Sequence, residues 1–473
     1  MTLRLYDTAT RSVRDFAPRE SGKVGIYLCG LTVQSEPHIG HLRSGVNNDV
    51  LRRWFLRSGY DVTLVRNITD IDDKVLARAL DQGRPFWSIA YANELLLSAA
   101  YRTLNVLPPT YEPRATGHIT EMHELIAALI ERGHAYPADD GSGDVYFDIK
   151  SYADYGALSG QRPDEMQAAP DAAERSKRDP RDFALWKGHK PEEPADAQWW
   201  SPWGRGRPGW HIECSAMCLR YLGAEFDIHG GGLDLIFPHH ENEVAQSRSA
   251  GLGFARHWVH NGLLNLGEAK MSKSLGNVIN LDHVVALGVR PIELRHYLAF
   301  PHYRSRIDYS DEALRETATA FRRIEGFVQR AVERVGAVEA AEVPAAFTAA
   351  MDDDLNTSGA FAVIHDLVRE GNTALATGDD AAVREALAGV RAMLDVLGLD
   401  PLDPAWSGAE AAAASDLKAT VDSLVALALE QRAAARTRKD WATADALRDQ
   451  LGQAGVTVED TPHGPRWTVG ARD

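Results

Sequence analysis

The sequence predicts an α/β fold: a Rossmann-like parallel sheet interrupted by an insertion, then an α-helical domain and a small mixed C-terminal domain. Three observations predict it. The apolar run Val24-Gly-Ile-Tyr-Leu-Cys29 is followed by a helical stretch at residues 38–56 and a strand-like run at residues 61–68. Strand, helix and strand in that order form a βαβ unit, the building block of a parallel sheet. The Pro-, Gly- and Asp-rich stretch at residues 117–202 then breaks the pattern, which returns near Phe226-Asp-Ile-His229 and from His257 to Leu266. Beyond about residue 307 the strand signals give way to long helical stretches.

Each element has a local reason. The first strand is short, apolar and ends at Gly30, as a buried strand does. Gly59, just past the first helix, suits a helix C-cap. Asp140-Gly-Ser-Gly-Asp144 reads as a hairpin turn before Val145-Tyr-Phe-Asp148. Arg162-Pro163, the acidic and alanine-rich stretch after it, and Lys190-Pro-Glu-Glu-Pro194 read as exposed loops. Helices are expected at residues 310–333 and 357–372, with breaks at 335–344 and 400–407. Residues 424–453 carry Ala, Leu and Arg at helical spacing, and residues 456–469 read as two short strands around a turn. The expected organisation is therefore a first α/β half at 1–116, an insertion at 117–202, a second α/β half at 203–307, a helical domain at 308–405 and a C-terminal region at 406–473.

Composition narrows the class. Of 473 residues, 44% are hydrophobic and 25% charged, as in a soluble globular protein. Lys+Arg is 51 and Asp+Glu is 67, a net charge of -16. That balance argues against a general nucleic-acid or membrane coat and leaves room for a local basic groove. Three cysteines, Cys29, Cys214 and Cys218, are too few and too odd for a disulfide framework, so a reducing compartment is expected. The start lacks the apolar core of a signal peptide, and no apolar run approaches membrane-helix length. A cytoplasmic location with no membrane partner is expected.

Three groups of residues could carry chemistry. His38-Ile-Gly-His41 lies between the first strand and its helix, where free N–H groups and the helix dipole favour an anion such as phosphate. Gly40 would let a flat base approach the backbone. Two surface histidines at a helix start are the plainer reading. Lys270-Met-Ser-Lys-Ser274 offers two lysines and two hydroxyls in one loop, an anion-binding arrangement; an exposed charged loop is the plainer reading. Cys29, Cys214, His239 and Glu243 form an acceptable Zn²⁺ set, with His239 and Glu243 four apart on one helical face. Buried structural cysteines beside a charged helix are the alternative.

His38–His41 and Lys270–Ser274 together resemble the two hallmark motifs of class I aminoacyl-tRNA synthetases. Tyr27-Leu-Cys-Gly-Leu-Thr-Val33, Gly209-Trp-His-Ile-Glu-Cys214, Phe237-Pro-His-His-Glu-Asn-Glu243 and His260-Asn-Gly262 narrow the resemblance to the cysteinyl-tRNA synthetase family, and it runs from the N-terminus to Arg466-Trp467. Gln34-Ser35 departs from the Tyr-Asp common in that family. The resemblance implies a catalytic domain that joins L-cysteine to ATP as cysteinyl-adenylate, and transfer to the 3′ end of cysteine tRNA. It implies that His38, Gly40 and His41 hold ATP with Mg²⁺, that Lys270 and Lys273 neutralise growing charge, and that one zinc at Cys29, Cys214, His239 and Glu243 holds the substrate thiolate. Thr69, Trp210 and His229 would face the substrate and Asp234 the ATP ribose, the last two in either order. Cys218 is expected to pack as a small hydrophobe. The resemblance implies a monomer. Two other readings stay open: a cysteine:amino-sugar ligase of the mycothiol pathway using the same adenylate chemistry, and a non-catalytic zinc RNA-binding module.

Overall fold

A hairpin of β1 (Arg4–Asp7) and β2 (Ser12–Asp15) leads into β3 (Lys23–Leu28), α1 (Ile39–Arg57) and β4 (Asp61–Arg66). The computed structural model describes residues 2–162, 177–266, 269–270, 278–406, 425–453, 456–461 and 464–469. β3 and β4 pair in parallel, Ile26 opposite Leu64, so the expected βαβ unit is present. Helix α1 stops where the backbone turns at Gly59 (φ 84°), a left-handed conformation that glycine adopts without a Cβ penalty. α2 (Asp73–Gln82) and α3 (Phe86–Thr103) follow. α3 lies close to α1 because Gly45 leaves room for the Tyr101 ring; a Cβ there would sit 2.1 Å from it.

The intervening segment contains α4 (Ile119–Glu131) and an antiparallel sheet of β5 (Ala135–Pro137), β6 (Val145–Phe147), β7 (Phe183–Gly188) and β8 (Gly206–Pro208). That sheet continues past residue 202. The turn expected at Asp140–Asp144 joins β5 to β6. The alanine-rich stretch after Arg162-Pro163 lies outside the described residues.

The chain then returns to the first sheet through α5 (Trp210–Leu222), β9 (Phe226–Gly232), α6 (Glu241–Ser249) and β10 (Ala255–Asn261). The strand order is β10-β9-β3-β4, all parallel. β3 runs right to β4 and the later strands add on its left, so the order reverses between β3 and β9. In open α/β sheets ligands bind beyond the carboxyl ends of the strands at such a reversal. Val24, Ile26, Tyr27 and Leu28 of β3 are all buried, as both faces of a central parallel strand must be. A small sheet of β11 (Leu264–Leu266), β12 (Ala269–Lys270) and β13 (Ile307–Tyr309) follows, with α7 (Leu281–Ala286) and α8 (Pro291–Ala299) between its second and third strands.

The helical part consists of α9 (Asp311–Val335), α10 (Ala345–Asp352), α11 (Thr357–Thr377) and α12 (Asp380–Val396). α9 buries Leu314, Ala318, Phe321, Ile324, Phe327, Val328, Ala331 and Val335, one stripe at three- and four-residue spacing. Residues 1–401 form one compact unit and residues 402–473 a second. In the second, the helical stretch is two helices, α13 (residues 425–437) and α14 (Trp441–Gln453), not one. The physical reason is local: Lys439 takes a left-handed conformation (φ 61°), and the Asp440 side chain accepts the Thr443 N–H, restarting the helix. β14 (Val456–Thr461) and β15 (Gly464–Val469) pair antiparallel, Val458 opposite Trp467.

Candidate active site

Four donors from distant segments converge at the strand reversal. Cys29 follows the last residue of β3, and its N–H donates to the Gly230 carbonyl of β9. Cys214 sits on the second turn of α5. His239 ends an irregular turn, Ile236–His240, interrupted at Phe237 (φ −136°, ψ 132°), and Glu243 lies in the first turn of α6. The expected shared helical face is thus a junction between two turns; the two side chains still meet. Cys29 Sγ is 3.6 Å from Cys214 Sγ and 3.2 Å from Glu243 Oε1, and His239 Nε2 is 3.1 Å from the same oxygen. All four ligating atoms lie within 4.8 Å of one another, a set able to hold a metal ion. Cys218 is fully buried one turn beyond Cys214 and belongs to neither close donor set among the described residues.

The surroundings tune the donors. Burial pushes the Cys29 thiol well up, reinforced by the hydrogen bond with Cys214, and burial raises Cys214 as well. Burial pulls His239 well down, keeping its imidazole neutral, the form that ligates metals. Its other nitrogen, Nδ1, lies 3.0 Å from His211 Nδ1. If Nε2 offers its lone pair to a metal, Nδ1 carries the proton and donates to His211, which fixes the tautomer and the ring. Trp210, half-buried, stacks on His239 with centroids 4.1 Å apart. His229 Nε2 is 2.9 Å from Glu243 Oε2 and fully buried, so it braces the carboxylate from the sheet side.

The pocket continues to the end of β4. Asn67 Oδ1 accepts the Gly30 N–H at 2.9 Å and lies 3.6 Å from Cys214 Sγ, while its amide donates to Thr69 Oγ1. Thr69 is buried, its backbone bridged to Thr32 in the loop after β3. Asp234 is exposed in a short turn after β9. The Gly230–Gly232 run does not simply leave space for a ligand. Cβ atoms there would meet Leu28 at 2.9 Å, Leu235 at 2.9 Å and the Asp234 carboxylate at 2.5 Å, so the glycines admit the protein's own packing.

His38 is the N-cap of α1, with extended backbone, and its N–H donates to His41 Nδ1 at 3.2 Å. The two rings stack 3.5 Å apart. Gly40 is the second residue of the helix. The first turn of α1 carries no acidic side chain to offset the dipole. The segment that follows Lys270–Ser274 comes back to this point: Ile279 accepts the Ile39 N–H at 2.9 Å, and Asn280 donates to Glu36. Lys270 ends β12, whose partner Asn265 lies on β11. Lys273 lies outside the described residues. The chain just after the lysine motif, at Ile279 and Asn280, is therefore tied to the start of α1.

The family model described as "tRNA synthetases class I (C) catalytic domain" matches residues 15–319. Cysteine–tRNA ligase of Streptomyces avermitilis is 60% identical over 100% of both chains, and that of a Nocardioides species is 58% identical over 99% of this chain and 100% of its own. This chain belongs to the cysteine–tRNA ligase family. Its later segments match two further models, a DALR domain at 346–401 and a cysteinyl-tRNA ligase anticodon-binding domain at 414–467. Solved class I ligases share the fold. Mycobacterium tuberculosis methionyl-tRNA synthetase in complex with methionyl-adenylate superposes with a TM-score of 0.57 at 16% identity, covering 80% of this chain and 90% of its own. Leucyl-tRNA synthetase from an Agrobacterium radiobacter ternary complex gives 0.57 at 13% identity, covering 81% and 84%.

For a cysteine–tRNA ligase fold, sequence reasoning missed several supporting residues. His211 stands inside a quoted motif and Asn67 inside the second strand-like run, yet nothing local marks them as partners of His239 and Cys214. Arg43, fully buried, donates to the carbonyls of Gly262, Leu263 and Ser305, and so joins α1 to the segments that lead into β11 and β13. Burial lowers its guanidinium to about 10. His240 and His260 pair at 2.7 Å, with Thr8 beyond, at the end of β10.

Proposed function

We propose that this chain condenses L-cysteine with ATP to cysteinyl-adenylate and pyrophosphate, then passes cysteine to the 3′ end of a cysteine-accepting tRNA. The observation that carries the cysteine specificity is the four-donor cluster. A tetrahedral zinc, with sulfur at about 2.3 Å and nitrogen or oxygen at about 2.0 Å, spaces its ligands by roughly 3.8 Å between sulfurs, 3.5 Å between sulfur and oxygen and 3.3 Å between nitrogen and oxygen. The corresponding separations here are 3.6, 3.2 and 3.1 Å, so the residues fit Zn²⁺. When bound, the ion supplies a soft Lewis acid that favours a substrate thiolate over a serine hydroxyl. That matters because an apolar pocket alone separates close analogues by only about 1–3 kcal/mol.

The chain's own groups then position the reaction. The substrate carboxylate attacks the α-phosphorus in line, and pyrophosphate leaves. His38, Gly40, His41 and the α1 dipole hold the Mg²⁺-bound triphosphate, while Lys270 and Lys273 neutralise charge that grows in the transition state. Thr69, Trp210 and His229 line or brace the amino-acid side, and Asp234 faces the ribose. In the second step the terminal tRNA ribose hydroxyl attacks the adenylate carbonyl and AMP leaves. A first α/β half, an insertion whose sheet runs on to β8, a second α/β half, a helical domain and a C-terminal region, with a monomeric state and a cytoplasmic location, complete the reading. No helix among the described residues is long and apolar enough to cross a membrane.

The test joins metal content to adenylate chemistry. Purified protein should carry about one zinc per chain and catalyse cysteine-dependent ATP–pyrophosphate exchange. Cys214→Ser should lose most of the metal and the exchange. Lys273→Ala should keep the metal and slow adenylate formation roughly a hundredfold to a thousandfold, as loss of one positioned transition-state contact does. Full zinc retention in both Cys29→Ser and Cys214→Ser removes the metal assignment.

A further inference from the structure

Helices α9 and α11 enclose a groove of about 970 Å³ whose lining departs from the rest of the chain. The lining includes Arg322, Arg323, Arg330, Arg369 and His365, and no carboxylate, in a protein of net charge -16. The arginines differ in what already holds them. Arg322 is tied to buried Glu293 at 2.6 Å. Arg330 donates to the neutral Asn372 amide oxygen. Arg369 pairs with Asp366, both largely exposed, an attachment too weak to keep it from another anion. Arg323 is exposed and has no ion pair among the described residues. Burial pulls His365 below its usual value; Asp366 partly offsets this and Arg323 reinforces it.

We infer that this groove is a docking surface for the sugar–phosphate backbone of the tRNA, with Arg323, Arg330 and Arg369 as its phosphate contacts. The reading rests on the tRNA-ligase function. Arg323 and Arg330 are seven residues apart, two helical turns or roughly 10 Å along α9, a span over which one nucleic-acid strand presents two or three phosphates. Arg369 faces the same groove from α11, so cations stand on both walls. Thr319, Thr373 and Thr377 also line the groove, but their hydroxyls donate to the helix carbonyls of Arg315, Arg369 and Thr373, so the cations are its phosphate donors. Contacts of this kind, to phosphate, would position the RNA, not identify it.

The test replaces Arg323, Arg330 and Arg369 together by alanine in the full chain and leaves Arg322 in place to hold Glu293. Cysteine-dependent ATP–pyrophosphate exchange, which needs no tRNA, should stay within twofold. Binding of the cysteine tRNA transcript should weaken on the order of tenfold, and KM for tRNA should rise accordingly. The slope of log affinity against log salt should fall by roughly two, since each lost phosphate contact removes about 0.7–0.9. Lysine at the same three positions keeps the charge and should restore most of the binding. Unchanged tRNA affinity and salt slope in the alanine variant would overturn the groove while leaving the ligase function intact. So would a lysine variant as weak as the alanine one, because packing would then be the cause. A wild-type chain that charges no tRNA would instead remove the function on which the groove depends.

Discussion

A Cβ built at Gly30 would lie 1.6 Å from the Asn67 carbonyl oxygen, closer than any real contact. The same glycine donates its N–H to the Asn67 side chain and follows Cys29 directly. Gly30→Ala should therefore push the end of β3 away from β4, moving Cys29 off Cys214. The expected result is loss of bound metal and of cysteine-dependent exchange, with far-UV circular dichroism close to wild type; normal activity in this variant would show that the close approach is dispensable. At this scale the sequence was informative about residue types and mute about partners. Two thiols, an imidazole and a carboxylate announce metal chemistry. Yet Cys29 and Cys214 are separated by 185 positions, and no periodicity joins them. They meet because β9 returns to lie beside β3, a fact of sheet order.

Between elements, the contact that binds α1 to α8 is a buried ion pair. Arg295 and Asp49 are both essentially unexposed and 2.5 Å apart. Arg295 also donates to the carbonyls of Leu104 and Asn105 and to Leu397 after α12, so one side chain joins the parallel-sheet core to the helical bundle. Burial pushes the Asp49 carboxyl up, but Arg295, Arg53 and the Leu107 N–H outweigh it and hold it below its usual value. A carboxyl depressed by folding contributes stability that is present above its unfolded pKa, about 3.9, and lost as pH falls through the lower folded value. Asp49→Asn leaves the guanidinium buried without its counter-charge and should cost about 3–5 kcal/mol near neutral pH. Urea unfolding of both proteins across pH should show that gap shrinking below about pH 4. A pH-independent gap would assign the loss to packing. The helices themselves were legible in the sequence from apolar spacing, as in α9. The ion pair was not, because Arg295 in a helical stretch reads as an ordinary solvated cation.

For the whole chain, the residues matched as an anticodon-binding domain, 414–467, fall within the second compact unit, while every site residue falls within the first. A chain ending at Pro401 should keep ATP–pyrophosphate exchange within a fewfold and lose most of its tRNA charging, because an anticodon reader acts only in the second reaction. Equal charging by the shortened and full chains would deny residues 402–473 that role. The overall α/β order was legible from the alternation of strand and helix signals. The extension of the insertion's sheet to β8 was not, since Gly206-Arg-Pro208 is too short and too polar to announce a strand. The wide spacing of the four donors proposed to hold zinc has a further consequence, for the order in which the protein is made. Cys29 precedes Glu243 by 214 positions. A ribosome adding about 5–20 residues per second needs roughly 10–40 s to bridge that interval. Throughout it the donor set around the first thiol is incomplete, Cys214 following after 185 positions and Glu243 last. A nascent chain halted before residue 243 should thus accept a thiol-reactive probe at Cys29 that the finished, metal-loaded protein refuses.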